Sequence, residues 1–321
     1  MSIAEKNFAS AETATISTAQ LTGRKSTGAV PRGLTFAAVI IILIMLVVIL
    51  GNIVIHGAGT ISWEFLSSPP EHGMVAGGIF PAIFGTTALV ILMTIAVIPL
   101  GVFTAVYLQE YTDPASRLTR FIRLAINNLA GVPSIVFGLF GLGFFIGFVG
   151  GNIDSVILDS TRPVWGKPAI IWASLTLALL TVPVVIVSTE EALKAIPREL
   201  KDASLALGAT RLQTIFRILL PQALPGIFTG AILAVSRGAG EVAPVMFTGA
   251  AYYLPQLPTK FTDQFMELGY HVFVMTTQSP DVDATAPILY GTVLVLLLLT
   301  FLLNFVAIVI RSRIRTRRAN V

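Results

Sequence analysis

Six stretches of this chain carry no Asp, Glu, Lys or Arg: Gly33–Trp63, His72–Gln109, Leu124–Ile153, Pro168–Thr189, Ile218–Ser236 and Ala284–Ile310. A helix needs roughly 20 apolar residues to cross the hydrocarbon core of a bilayer, whereas a buried core helix of a soluble protein holds a run of about 10 to 14. Each stretch is long enough for the first, so the chain is predicted to be an all-α polytopic membrane protein with six transmembrane helices. Composition agrees: 55% of the residues are hydrophobic and 12% charged, against about 25% charged in an ordinary soluble domain.

The first run is longer than the roughly 7 to 15 apolar residues of a cleaved signal, and no Ala-x-Ala pattern follows it. Residues 34–56 therefore read as a retained first transmembrane helix. Residues 1–33, rich in Ser, Thr and Ala and without apolar periodicity, read as a disordered tail. Residues 76–310 read as the main membrane-embedded core and residues 311–321 as a basic tail.

Of the 21 Lys and Arg residues, 17 fall in the N-terminal tail, the second and fourth connections and the C-terminal tail. Three (Arg162, Lys167, Lys260) fall on the opposite side, and Arg237 lies within a span. The positive-inside rule then predicts cytoplasmic N- and C-termini. Arg311 to Arg318 directly follow an uncharged span and read as a stop-transfer flank that meets anionic membrane lipid, with no nucleic-acid partner. The absence of cysteine excludes disulfides and thiolate chemistry. No G-x-x-x-x-G-K-[ST] phosphate loop is present, so ATP has to be bound by a partner. His56, His72 and His271 are isolated and read as solvated residues of external loops, so no metal, cofactor or catalytic residue is expected and the chain is not expected to be an enzyme.

The fourth connection, residues 188–221, is rich in helix formers. Ser188 with Glu191 and Thr210 with Gln213 have capping-box spacing, Pro197 suits a first helical position, and Gly208 suits a left-handed helix end. A helix, a sharp turn at Gly208 and a second helix are predicted. Leu200, Ala203 and Leu207 share a face of the first helix, and Leu212, Ile215, Phe216 and Leu219 a face of the second. Such an amphipathic hairpin serves as a handle for another protein or as an interfacial helix lying on lipid. Asp202-Ala203-Ser204, then Gly208, then Ile218, Leu220 and Pro221 resemble the EAA, three residues, Gly, nine residues, I-x-L-P motif of bacterial ATP-binding-cassette importer permeases, departing at its first and third letters. The resemblance implies a type I importer permease fold in the cytoplasmic (inner) membrane of a bacterium, with a coupling helix that docks on an ATPase subunit.

The fifth span holds two ionisable groups, Arg237 and Glu241, which have no route into water along the chain. For a helix from about Gly226 to Phe247, Arg237 sits about 17 Å from its start, near mid-bilayer. Spacing of i, i+4 places both on one face as an ion pair. Ionisable groups at membrane depth tend to mark ion or substrate pathways, and arginine's planar fork suits an oxyanion; a buried salt bridge that only fixes packing is the alternative. Arg237, Gly240, Glu241, Ala243 and Pro244 also resemble the R-x-x-GE-x-AP signature of phosphate importer permeases. The stretches Gly77–Ile83 and Asn128–Gly138 are similar to the A-type rather than the C-type permeases of phosphate-specific systems.

That resemblance implies a heterodimer with a C-type sister permease, a dimeric ATP-binding subunit and an extracytoplasmic phosphate-binding protein. External loops carry three basic and eight acidic residues, Asp154 and Glu267 among them, which repel a free anion and favour delivery by a carrier. A permease for another oxyanion, an ion-coupled secondary transporter, and an added role in phosphate signalling are the other readings. Gly143, Gly147 and Gly151 are expected to form a helix contact, with the sister permease as a candidate partner, and Pro133 and Pro183 are expected to kink their spans.

Overall fold

The computed structural model describes residues 29–74, 76–279 and 281–319. The chain divides into two units, residues 1–52 and 53–321. Helix α1 (Ala29–Gly57) begins in the first. Residues 29–33, which the sequence assigns to a tail, are therefore helical, while residues 1–28 of that assignment lie outside the described residues. The large apolar side chains of α1 between Leu34 and Ile49 are exposed, as an all-round apolar helix requires of a lipid solvent.

Among the described residues, six helices are long and apolar enough to cross a membrane: Pro31–Thr60, Phe80–Tyr111, Ser134–Ile157, Ile170–Lys194, Arg211–Gly238 and Val282–Arg313. Each overlaps one uncharged stretch of the sequence. In the second unit, α2 (Trp63–Ser67) is capped by Ser62, whose hydroxyl accepts from the Phe65 amide at 3.1 Å. A small antiparallel ladder pairs β1 (Pro70–Glu71) with β2 (Ala76–Gly77), Pro70 opposite Gly77. Then come α3 (Phe80–Val106), ending in a wide turn at Tyr107–Tyr111, and α4 (Arg117–Leu129). Helix α5 (Ser134–Phe140) continues with wide turns through Gly141–Gly150 and Ile153–Ile157, and α6 is Ile170–Lys194. A hairpin of α7 (Arg198–Ala206) and α8 (Arg211–Thr214) runs through a wide turn, Ile215–Leu219, into α9 (Leu220–Gly238). Helices α10 (Ala243–Thr248), α11 (Leu268–Gln278) and α12 (Val282–Ala319) complete the chain.

Helix α6 is the centre of the second unit: 72% of its apolar window is buried, against 6% for the sixth span. It packs between α3 and α9, with Leu89, Met93 and Val97 of α3, Leu177 and Val185 of α6 and Ala234 of α9 in one core. Helix-to-helix association in lipid lacks a hydrophobic drive and relies on close packing of small residues. Here those are Gly226 and Gly230: an added methyl group would lie 2.3 Å from the Ala192 Cβ and 1.9 Å from the Ser188 Oγ. At Gly143 and Gly151 of the third span an added methyl group would meet nothing within 4 Å, so the contact expected there has no partner within this chain.

One further expectation is corrected. Pro133 does not kink the third span; it caps it, and Leu124–Leu129 belong to the preceding amphipathic helix α4. Pro183 does lie inside α6. The basic run after the sixth span is a continuation of α12, which extends to Ala319.

Candidate functional site

The hairpin has the predicted local chemistry at its second helix. The Thr210 hydroxyl accepts from the Gln213 amide at 3.2 Å while the Gln213 side chain accepts from the Thr210 amide at 2.9 Å, which satisfies two orphan donors of α8. Gly208 adopts φ +84°, and the Gly208 and Ala209 amides donate back to the carbonyls of Leu205 and Ser204, closing α7 as a left-handed cap does. A buried 2.9 Å bond between the Ser204 and Thr214 hydroxyls locks the two helices together. Ser188 does not cap a helix: it lies inside α6 and its hydroxyl donates to the Val184 carbonyl.

The motif residues divide by exposure. Asp202, Ala203 and Gly208 are exposed, Ser204 is buried, and Ile218, Leu220 and Pro221 are half-buried where the hairpin meets the core. The apolar faces read from the sequence are only partly covered. Ile215 and Leu219 are buried, whereas Leu207 is 90% exposed, with Leu200, Leu212 and Phe216 also exposed. An unfilled apolar patch on a rigid hairpin marks a protein or lipid contact.

Arg237 and Glu241 lie together, Nε to Oε1 at 3.3 Å, with a third and a fifth of their side-chain surfaces exposed (33% and 19%). Their setting differs from the expected continuous helix from Gly226 to Phe247. Helix α9 stops at Gly238, residues 239–242 form a non-helical turn, and the chain resumes as the short α10. Arg237 is therefore in the last turn of α9, where the negative end of the helix dipole favours a cation. Because that helix starts at Leu220 rather than Gly226, Arg237 lies about 26 Å rather than about 17 Å along the axis from its start. Gly240 and Pro244 explain the break: glycine weakens a helix and proline cannot donate to one. Helix α10 packs against α5 and α6, while the break itself is only partly covered: Ala239 is buried, Glu241 and Val242 are half-buried and Gly240 is exposed, as irregular backbone at membrane depth is tolerated where it is covered by protein or lines a water-filled cavity. Among the described residues the guanidinium's terminal nitrogens make no hydrogen bond. Leu233, one turn before Arg237, lines a hollow of about 330 Å³ with Asn127, Ser188 and Glu191.

Arg237 and Glu241 are not the only ionisable groups taken from water. Asp154, read as an external loop acid, is buried and accepts from the amides of Val164, Trp165 and Gly166 at 2.7 to 2.9 Å. Glu190 is buried between Arg123 at 3.5 Å and Lys194 at 3.2 Å. Glu267 and His271, read as solvated, are 1% and 2% exposed. Glu267 caps α11 by accepting from the Gly269 and Tyr270 amides at 2.8 and 2.6 Å. The Leu268 amide donates to Thr86 of α3. Neither His271 ring nitrogen has a partner. No local pattern marks these residues, because α11 is too short to announce itself as a span and its burial depends on α3 and α12.

Burial pushes the Glu267 carboxyl up to about 7, against the opposing pull of the Gly269 and Tyr270 amides and the Thr86 hydroxyl. Burial likewise pushes the His271 imidazole down to about 4, so it is neutral at physiological pH. Both lie outside the six spans. A carboxyl whose folded pKa exceeds its unfolded value contributes fully below the unfolded value and loses that contribution as pH rises through the folded one. The lowered His271 adds an opposing rise between about 4 and 6.5, so the Glu267 contribution is read from a difference: in thermal unfolding in detergent, wild-type stability minus that of Glu267→Gln should fall between pH 4.5 and about 7. The expected fall in that difference is about 3 kcal/mol at 1.36 kcal/mol per pKa unit. A difference that does not change with pH would refute the assignment.

Residues 97–319 match the family described as binding-protein-dependent transport system inner membrane components. The chain is 34% identical over 277 residues to the probable ABC transporter permease protein YqgI of Bacillus subtilis, covering 82% of this chain and 88% of that one. It is 32% identical over 232 residues to the probable phosphate transport system permease protein PstA of Methanocaldococcus jannaschii, covering 72% and 75%. A 172-residue match at 40% identity to the phosphate transport system permease protein PstA of Mycobacterium leprae covers 53% of this chain, and the chain spans about half (51%) of that relative's length. Among solved structures, a bacterial alginate ABC transporter in complex with its pentasaccharide-bound periplasmic protein superposes with a TM-score of 0.60 at 15% identity, covering 88% of this chain and 96% of that one. The MetNI methionine ABC transporter, in an inward-facing conformation, does so at 0.54 and 20% identity, covering 73% and 94%. Likeness at such identity shows the fold, that of a type I ABC importer permease.

Proposed function

The chain belongs to the family of binding-protein-dependent transport system inner membrane components, and we propose that it is the A-type permease subunit of an ATP-driven phosphate importer. It is a multi-pass inner-membrane permease and not an enzyme. ABC importer permeases work with a sister permease, an ATPase and a substrate-binding protein. The specific partners proposed here are a C-type permease, a dimeric ATP-binding subunit and an extracytoplasmic phosphate-binding protein. Both termini and the hairpin then face the cytoplasm, residues 76–310 forming the permease core and residues 188–221 the coupling loop.

The observation that carries the phosphate reading is the Arg237–Glu241 pair at the break in the fifth span. Transporter substrate sites recur where a membrane helix is discontinuous. One bond through Nε leaves the planar terminal nitrogens of Arg237 directed to a passing oxyanion, the geometry arginine recognises best. Relatives named as phosphate transport permeases support the choice of cargo. Glu241 then chooses among oxyanions: phosphate near neutral pH retains a proton to donate to a carboxylate, whereas sulfate has none and leaves the acceptor unpaired. Asp202, Ala203, Ser204 and Gly208 present the docking turn, and Ile218, Leu220 and Pro221 join it to α9, so that a push from the ATPase reaches the helix bearing Arg237.

Uptake into vesicles holding the full set of subunits tests this reading. Phosphate uptake is expected to require internal ATP and the external binding protein; uptake driven by a proton gradient alone would replace it with a secondary transporter. In the same assay Glu241→Ala and Glu241→Gln should lower phosphate uptake and reduce the preference over sulfate by about tenfold or more. Unchanged transport by both variants removes Glu241 from the site.

A further inference from the structure

A push on the docking hairpin reaches the fifth span through the continuous chain of α8, the wide turn and α9, but opening a path requires other spans to move with it. Among the described residues there are four ion-paired contacts, and three lie on the hairpin side of the second unit. Lys201, on α7, reaches Glu110 at 2.5 Å across 91 positions of sequence. Glu110 sits in the wide turn that ends the second span, with its side chain 10% exposed. In the same turn the Leu108 carbonyl accepts from the Arg123 guanidinium of α4 at 3.1 Å. The Nε of that guanidinium faces Glu190 at the end of the fourth span at 3.5 Å.

From this chain of contacts we propose that Lys201 and Glu110 form the strut that couples movement of the docking hairpin to the second span, and through Arg123 and Glu190 to the fourth. The proposal rests on the reading of the hairpin as the ATPase dock. The hairpin is rigid enough to transmit force, because the Ser204–Thr214 bond and the α8 capping box fix its two helices. The Lys201–Glu110 contact is short and half-buried, so loss of one partner strands a charge instead of freeing two solvated ones. The joint beyond it is looser. Arg123 Nε and Glu190 Oε1 are buried without a hydrogen-bond partner, and both residues line a hollow of about 210 Å³ that gives them room to shift. A tight strut followed by a joint with space is a contiguous network with more than one arrangement, which is what transmission between sites requires. Lys201 and Glu110 are positioning residues: they touch neither cargo nor nucleotide.

The test is the number of phosphates imported per ATP hydrolysed by the complete complex in liposomes. Glu110→Lys is expected to lower that ratio about tenfold, within the usual range of coupling between sites. Adding Lys201→Glu, which restores opposite charges, should return it to within about twofold of wild type. Import and hydrolysis that fall together at an unchanged ratio, or a swap that fails to restore it, overturn the strut. The chain has no cysteine, so Glu110→Cys with Lys201→Cys can be bridged by a short, reducible bifunctional thiol reagent after assembly. The bridged complex should keep the ratio and the same complex after reduction should lose it; an identical ratio before and after reduction also overturns the proposal. A wild-type complex that hydrolyses ATP but imports no phosphate counts instead against the phosphate reading.

Discussion

Arg237→Gln is expected to lower phosphate uptake by the reconstituted complex by roughly 100-fold or more while the permease still assembles with its partners. Each hydrogen bond from a charged donor contributes about 1.5 to 3 kcal/mol, and every 1.4 kcal/mol corresponds to about tenfold. Losing two such bonds to an oxyanion therefore suffices. The protein itself should tolerate the change, because Arg237 is a third exposed (33%) and holds one partner through one nitrogen. Uptake and co-purification of the partner subunits, measured on the same preparation, separate the outcomes. Loss of assembly alongside uptake would mean that the pair fixes helix packing, and unimpaired uptake would remove Arg237 from the path.

The second large effect is expected at the hairpin. Leu207→Asp combined with Phe216→Asp should abolish co-purification of the ATPase subunit while leaving the permease folded. Both side chains are more than half exposed, 90% and 52%, so neither substitution opens a cavity. Burying a large apolar side chain contributes about 1.5 to 3 kcal/mol, so the pair should weaken docking by roughly 100-fold or more. Retained co-purification would assign this apolar patch to the membrane surface.

Thr210, Gln213 and Gly208 show why part of the site is legible in the chain. A capping box and a left-handed helix end depend on groups three residues apart or on one residue's own backbone freedom. Their structures match the pattern. Ser188 has the same spacing to Glu191 and forms no cap, since it lies inside a helix that began at Ile170. The pairing of Arg237 with Glu241 is likewise local, four residues apart. The break that gives the pair its setting is less so: Gly240 and Pro244 permit a stop, and packing of α10 against α5 and α6 makes the broken backbone affordable.

Glu267 and His271 mark the opposite limit. Nothing within ten residues of them resembles a span, so the sequence reads both as solvated loop residues, yet contacts with α3 and α12 bury them almost completely. The glycine stripe of the third span and the glycines of α9 have similar spacing, yet Gly226 and Gly230 meet α6 whereas an added methyl group at Gly143 or Gly151 would meet nothing within this chain.

Uncharged length, the alternation of basic connections and residue-level capping chemistry determined from sequence alone that this chain has six spans, a helical hairpin and a paired arginine and glutamate. These features follow from the cost of a charge in hydrocarbon and from hydrogen bonds closed within a few residues. Which helix is central, which glycines are contacted, where the fifth span breaks, and which acids are buried were decided only by the tertiary structure. Ion-pair partners are brought together from as far as 91 positions apart and the hydrogen bond beside the buried Glu267 from 182, and no local pattern encodes that choice.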